Sequence, residues 1–329
     1  MVRYEPKLVT VFGGSGFLGT QIVQRLARRG YRVRVAVRRP DLAGHTKSLG
    51  SVGQVVPVQA NVRNEASIAR AVAGAEMVIN LVGIGFEGGK QTFEAVHVAG
   101  AAAVARAARA AGAESLVHVS ALGVDLATES DYARSKLAGE GEVLKAFPEA
   151  VVIRPSLMFG PGDGFFNLMG TLSRYFPAMP LIGPDSRFQP VYVGNVAEAF
   201  VMAAEGSVRT GRVYELGGPE VVTHRELMKR ILEAAGRSRP LLALPPGIAK
   251  ILALPFSILP FPPLITADRV DLLMTDNVVS EAAIKDKRTL AAFGITPTAM
   301  ETILPSYMWR FRKHGQFDRQ DHASDGTAA

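Results

Sequence analysis

Short β-branched runs alternate with longer stretches of helical periodicity over the first two thirds of this chain. Leu8–Phe12 (LVTVF) is an apolar run, and a helical pattern follows it from Phe17. Arg32–Val37 (RVRVAV) and Gln54–Gln59 (QVVPVQ) read as the second and third strands, with Pro57 placing the third near its end or at an edge. Glu65–Ala73 reads as a short helix, Met77–Val82 (MVINLV) as a fourth strand and Phe93–Ala111 as a long Ala-rich helix. Ser115–Ser120 is a fifth strand, Tyr132–Phe147 a helix and Ala150–Arg154 a sixth strand. Such alternation predicts an α/β fold, a doubly wound parallel sheet of Rossmann type covered on both faces.

From Pro155 to Pro190 the pattern loosens into Gly, Pro and Phe. Val196–Glu205 then reads as a helix, Arg212–Leu216 as a returning strand, and Thr223–Glu226 as a capping box. The expected organisation is a nucleotide-binding domain over 1–160 completed by 190–218, and a smaller C-terminal α/β domain from 161–189 and 219–310. Residues 311–329 are polar and aperiodic and are expected to form a mobile or partner-bound tail. Leu241–Thr266 is strongly apolar but carries prolines at 245, 246, 255, 260, 262 and 263, which forbid a continuous membrane helix. It is either core of the small domain or an irregular exposed surface for a partner or a lipid interface, and the prolines favour the second.

Bulk properties narrow the chemistry. The 329 residues are 48% hydrophobic and 20% charged, with no cysteine, so disulfides, thiolate metal sites and thiol catalysis are excluded. Six histidines show no metal-ligand spacing. The first strand begins within about ten residues of Met1, so no leader is expected, and no apolar run spans a bilayer. The net charge of +7 is concentrated in Arg25, Arg28, Arg29, Arg32, Arg34, Arg38 and Arg39. A solvated helix face explains this better than nucleic-acid binding, and anionic lipid or an acidic partner also fits. The Ala- and Arg-rich composition suits a bacterial cytoplasm.

Three glycines, Gly13, Gly16 and Gly19, stand between the first strand and its helix. Gly13 permits a tight turn, Gly16 lets backbone N–H groups approach phosphates, and Gly19 lets the helix sit close to the sheet. The helix N-terminus then presents unpaired N–H groups and positive partial charge to a pyrophosphate. Ser15, Phe17 and Leu18 complete this turn, and no Lys-Ser/Thr follows that would make it a triphosphate loop. Arg38, followed by Arg39, occupies the place after the second strand where an acid would bind a ribose 2′-hydroxyl. A guanidinium there pairs a 2′-phosphate, so NADP(H) is expected over NAD(H), unless Asp41 supplies the acid. Asn61 and Val62 are expected at the adenine, Leu81, Val82 and Gly83 along the path to the nicotinamide, and Pro155 completes the cofactor contacts.

Ser120 ends the fifth strand, and Tyr132 and Lys136 lie one turn apart on the next helix. In a hydride-transfer site Ser120 polarises a carbonyl, Tyr132 is the acid or base, and Lys136 lowers the phenol pKa and binds ribose. The same Tyr132 and Lys136 could instead hold the nicotinamide ribose without turnover.

The motifs GGSGFLG, YARSK, RPSLMFGPGD and QPVYVGNVAEAF together resemble the short-chain dehydrogenase/reductase superfamily, in its extended or atypical branch, over roughly residues 7–218. VINLVGIGFE, SLVHVSALGVD, SDYARSKLAGE, FPEAVVIRPSLMFG, QPVYV and above all PFPPLITADRVDLLMTDNVV resemble a narrower family, the NADPH-binding accessory subunits of respiratory complex I. That resemblance spans nearly the whole chain. It implies a tightly held NADPH without substrate turnover, and partners among the other subunits of the peripheral arm and membrane interface, near the quinone-reducing region. It also implies a peripheral place on the cytoplasmic face of the bacterial inner membrane. Carried over by position, Gly13, Gly16 and Gly19 bind pyrophosphate, Arg38 the 2′-phosphate, and Tyr132 and Lys136 the nicotinamide ribose. Asn195 and Asn61 depart from the acids usual in the superfamily, and the first departure weakens an enzymatic reading. The alternatives are an active reductase or nucleotide-sugar epimerase/dehydratase using Tyr132 and Lys136, and an NADPH-sensing regulator.

Overall fold

Seven parallel strands form the centre of the protein in a computed structural model that describes residues 6–258 and 266–313, with the backbone alone for 253–258. They are β1 (Leu8–Phe12), β2 (Arg32–Val37), β3 (Val55–Gln59), β4 (Met77–Asn80), β5 (Ser115–Val119), β6 (Val151–Pro155) and, later in the chain, β11 (Arg212–Leu216). Their order is β11-β6-β5-β4-β1-β2-β3, so the chain winds outward in both directions from the boundary between β1 and β4. Pro57 lies in β3, the edge strand, where a missing N–H is tolerated. Helices α1 (Phe17–Arg28), α2 (Glu65–Val72), α3 (Ala99–Ala110) and α4 (Asp131–Ala146) cross between strands. Strands buried on both faces are continuous apolar runs, and the two resulting cores lie on opposite sides of the sheet.

The rest of the chain adds short pieces around a third core. In order these are β7 (Met158–Phe159), α5 (Phe165–Tyr175), β8 (Met179–Leu181), β9 (Arg187–Phe188), β10 (Val191–Tyr192) and α6 (Val193–Ala204), then, beyond β11, β12 (Val222–Thr223), α7 (His224–Ala234), β13 (Leu241–Ala243) and α8 (Pro246–Ile258). Three helices follow: α9 (Ala267–Met274), α10 (Glu281–Lys285) and α11 (Met300–Met308). Phe159, Phe166, Met179, Leu227 and Met308 are buried at the heart of this core. The capping box opens α7, with the Thr223 hydroxyl and Glu226 carboxylate exchanging bonds with each other's backbone N–H.

Four elements differ from the sequence pattern for identifiable reasons. The fourth strand stops at Asn80 rather than Val82, because the Asn80 side-chain oxygen accepts the Val82 N–H and turns the chain. The expected Phe93–Ala111 helix opens with a π-turn over Glu94–Val98, closed by Ala99 N–H to Glu94 C=O, before α3 begins. α6 starts at Val193, three residues early, straight from an extended Tyr192. The apolar stretch after Leu241 is more regular than expected, since Pro245 and Pro246 lead into α8 instead of breaking it. Leu242, Ile248, Ile251 and Leu252 are nonetheless exposed, as a surface segment requires. Residues 259–265 of that stretch, and 314–329 of the expected tail, lie outside the described residues. No helix among the described residues is long and apolar enough to cross a membrane.

The π-turn fixes one wall of the sheet's C-terminal edge. His97 Nε2 accepts the Ile84 N–H at 2.9 Å, so its proton sits on Nδ1 and is donated to Ser135 Oγ at 2.9 Å. Ser135 in turn donates to the Tyr132 carbonyl at 2.8 Å. α4 reaches this wall only because Gly139 has no side chain, for a Cβ there would overlap the His97 carbonyl oxygen. A buried ion network locks the next turn of α4, where Arg154 of β6 forms a two-pronged bond to Glu140 with both distances 2.8 Å. Asp125 at 2.9 Å and Glu215 at 3.6 Å complete it. Arg154 is the centre of this group, since its removal would leave the Glu140 and Glu215 carboxylates buried without their counter-ion.

Two predictions follow from this wall. Gly139→Ala is expected to lower unfolding stability by about 1–3 kcal/mol through overpacking. Gly141→Ala, on the same helix but facing open space, should raise it by about 0.5–1 kcal/mol. Denaturant unfolding of both variants checks the pair. Burial holds the His97 pKa down to about 3, helped by the Lys136 charge. The unfolded chain therefore takes up a proton near pH 6.5 that the folded chain refuses, and stability falls as pH drops from about 6.5 toward 3. At pH 5 the loss is about 2 kcal/mol from this group. Buried His118 is shifted the same way by burial. Stability of His97→Gln measured from pH 7.5 to 4.5 should fall less steeply than that of the parent.

Candidate functional site

The site lies at the C-terminal ends of β1, β4 and β5, where the strand order reverses and a crevice opens between diverging loops. Gly13 leaves β1 with φ +77° and donates its N–H to Ala36 C=O at 3.0 Å. A Cβ on Gly13 would press within 3.3 Å of the Leu81 backbone, and one on Gly19 within 2.7 Å of the Gly14 backbone. Gly16 is the exposed N-cap of α1 and supplies no side-chain cap, so the first-turn N–H groups keep their bonding capacity for an anion. Ser15 and Phe17 are half-buried beside this turn, and Phe17 reaches toward Gly162. The Leu18 side chain lies in the core beneath, which leaves only its backbone for the site.

At the adenosine end, Arg38 is exposed at the tip of β2 and donates to the Gln91 side-chain oxygen. Arg39 is instead held by Asp41 through bonds of 3.0 and 2.7 Å. Asn61 braces its own loop, donating its N–H to Ser67 Oγ and accepting the Arg63 N–H on its side chain. Val62 is buried against the position of Gly100. Leu81 and Val82 are half-buried along the crevice, and Gly83 is exposed beside His97.

At the other end Ser120 is buried, and its Oγ is the one buried side-chain polar atom among the described residues without a hydrogen-bond partner. A polar group left so is costly unless a ligand satisfies it. Pro155 is buried next to it, its C=O accepting from Leu122 N–H at 3.0 Å. Lys136 is buried and donates to Val119 C=O at 2.7 Å, and desolvation brings its pKa down to about 8 against the pull of Glu140. Tyr132 is edge-on to both Phe93 and His97.

Lys136 was expected to lower the Tyr132 phenol pKa, yet burial and the Asp268 carboxylate push it up to about 12, with Arg269 only partly opposing. The ammonium is spent on the Val119 carbonyl, and an acid stands near the phenol instead. Tyr132 is therefore a protonated donor at neutral pH.

The residues that alter the site come from α9 and the loop after it. Asp268 accepts from Ser130 Oγ at 3.1 Å and from Tyr132 N–H at 3.3 Å. The Arg269 guanidinium lies against Gly85, where a Cβ would meet it at 2.9 Å. Asn277 ties the strand-end loops together, accepting from Ser156 Oγ at 2.6 Å and Leu157 N–H at 3.0 Å while donating to Leu122 C=O at 2.7 Å. Asp276 adds a forked pair with Arg187 at 2.9 and 2.7 Å. The stretch TADRVDLLMTDNVV was noticed as a motif, but its role at the site was not, because pattern alone does not reveal a return from so far along the chain. Asn195 lies away from this chemistry, accepting the Thr298 N–H at 2.9 Å.

The model of the NAD dependent epimerase/dehydratase family matches residues 9–217. The chain is 36% identical to the mitochondrial NADH dehydrogenase (ubiquinone) 1 alpha subcomplex subunit 9 of Arabidopsis thaliana, over 94% of this chain and 79% of that one. It is 34% identical to the Mus musculus protein of the same name, over 89% and 78%. It is also 33% identical to a ceramide reductase of Caulobacter vibrioides, over 73% and 75%. In fold it is similar to the Bordetella bronchiseptica enzyme WbmH in complex with NAD+, with a TM-score of 0.70 and 18% identity over 94% of this chain and all of that one. A TM-score of 0.69 at 16% identity relates it to an Escherichia coli NADPH-dependent quinone oxidoreductase complexed with NADPH, over 91% and 97%. The chain belongs to the NAD dependent epimerase/dehydratase family, and its relatives over most of its length include subunits of respiratory complex I.

Proposed function

We propose that this chain is an NADP(H)-binding accessory subunit of a bacterial respiratory complex I (NADH:quinone oxidoreductase). It holds the nucleotide as a stabilising ligand near the quinone-reducing region, on the cytoplasmic face of the inner membrane, without turnover of its own. The observation that carries this reading is the extent of the likeness to complex I subunits, which covers 94% of the chain and so runs past residue 217, where the family model ends. The C-terminal return over the site supports it, since Asp268 and Asn277 bind the loops around Tyr132 and Ser120. Its partners are other subunits of the peripheral arm and membrane interface. The exposed apolar side chains of β13 and α8 suit such docking, with lipid contact through 241–266.

The residues fit the nucleotide. Glycines 13 and 19 leave a cradle that side chains would fill, the α1 N–H groups receive pyrophosphate, and Arg38 meets the 2′-phosphate. Ser120 Oγ, orphaned in the buried wall, is satisfied by the nicotinamide end, and Tyr132 and Lys136 lie at its ribose. The nicotinamide, when bound, supplies hydride chemistry. A second reading, an active NADP(H)-dependent reductase, has the ceramide reductase relative and the complete Ser120, Tyr132 and Lys136 set in its favour. In it Ser120 polarises a carbonyl and the protonated Tyr132 phenol donates to the oxygen.

Three outcomes are expected. Complex I purified from the source membranes contains this chain, and its absence there would contradict the proposal. Tyr132→Phe leaves complex assembly unchanged and weakens nucleotide binding by no more than one ribose hydrogen bond, about 0.5–1.5 kcal/mol, whereas loss of an NADPH-dependent turnover would favour the reductase. NADPH at about a hundred times its Kd adds roughly 2.7 kcal/mol to unfolding stability. NADH gives a much smaller shift, and Arg38→Ala narrows the gap by weakening NADPH binding about tenfold. Equal protection by the two nucleotides would overturn the NADP(H) assignment.

A further inference from the structure

The segment between β4 and the π-turn, Gly83–Thr92, forms a small hairpin beside Arg38. Gly88 and Gln91 exchange both backbone hydrogen bonds at 3.0 Å, with Gly89 (φ +55°) and Lys90 making the turn. Its root is fixed, because Ile84 N–H is held by His97 and Phe93 N–H donates to the Glu87 carboxylate at 2.6 Å. Two arginines from different strand ends hold its tip. Arg38, after β2, donates to the Gln91 side chain, and Arg63, after β3, donates to the Lys90 carbonyl at 3.1 Å.

Arg38, Arg63 and Lys90 are exposed, and among the described residues none has a carboxylate partner. The neighbouring Arg39 shows the contrast, since Asp41 neutralises it. Arg38 and Arg63 meet at a turn that also carries Lys90, and the one carboxylate of this hairpin, Glu87, is turned to its root, where it accepts the Phe93 N–H, so the tip is locally positive. A neutral amide and a carbonyl are weak partners for two guanidiniums, and a phosphate dianion would be a stronger one.

We propose that Arg63 and Lys90 join Arg38 in a clamp for the 2′-phosphate of the dinucleotide, with the Gly88–Gln91 hairpin as the strap that carries Lys90 to it. This rests on the NADP(H) reading above and names residues that determine its specificity. Phosphate draws Arg38 and Arg63 from the neutral acceptors of the tip, and the Lys90 ammonium completes the charge balance. A nucleotide lacking the 2′-phosphate gives the strap nothing to close on.

The test titrates the full chain by calorimetry with adenosine 2′,5′-bisphosphate and with adenosine 5′-monophosphate, which differ only in the 2′-phosphate. Arg63→Gln and Lys90→Gln should each weaken the bisphosphate about fivefold and leave the monophosphate unchanged. Trypsin cleavage after Lys90, followed by mass spectrometry, gives a second readout. The bisphosphate should slow it in the parent and not in Arg63→Gln, while the monophosphate slows it in neither. If the parent prefers the bisphosphate but both variants keep its affinity, or lose both ligands equally, the clamp is wrong and the nucleotide reading stands. If the parent shows no preference, the nucleotide reading fails and the clamp with it.

Discussion

The close approach of α1 to the turn that leaves β1 is the constraint from which the site follows. Gly19 lies over the Gly13–Gly14 backbone at a separation that admits no Cβ. Only at that separation do the first N–H groups of α1 point into the crevice instead of over it. The strand order then does the rest, since the chain leaves β1 and β4 toward opposite sides of the sheet and the crevice opens above the glycines. Each other element of the site is placed relative to this junction. Gly13 faces the Leu81 backbone, Arg38 ends the strand beside β1, and Ser120 ends the strand beyond β4.

The far end of the crevice is governed by a different device. Residues from late in the chain return to hydrogen-bond the segments after β5 and β6 through Asp268 and Asn277, while Asp276 holds Arg187 of β9. Burial, with the Asp268 carboxylate second, also changes the chemistry by opposing formation of a Tyr132 phenolate. A phenol in that state holds a ribose hydroxyl or donates a proton, and is a poor base.

The sheet was legible in the sequence because strands buried on both faces, such as β1 and β6, are largely apolar β-branched runs, and β2 betrays itself by alternation of arginine with apolar residues. The glycine turn was legible because its geometry admits few residues. Less visible were features that depend on two distant side chains. The π-turn lies where the His97 backbone packs against Gly139, and the early end of β4 where the Val82 N–H donates to the Asn80 side chain. The phenol pKa was misread because Tyr132 and Lys136 are one turn apart in any helix, while Asp268 lies 136 positions away in the chain. The Arg154–Glu140 pair escaped for the same reason, since nothing local marks a charged residue as buried.

The most direct test of this account is the identity of the small molecule that leaves the purified protein on mild denaturation. Chromatography with mass spectrometry should find NADP+ or NADPH near one equivalent per chain in the parent, and little in Gly19→Ala, whose added methyl forces α1 off the turn. A parent protein that releases no dinucleotide, or releases NAD(H) alone, would contradict it.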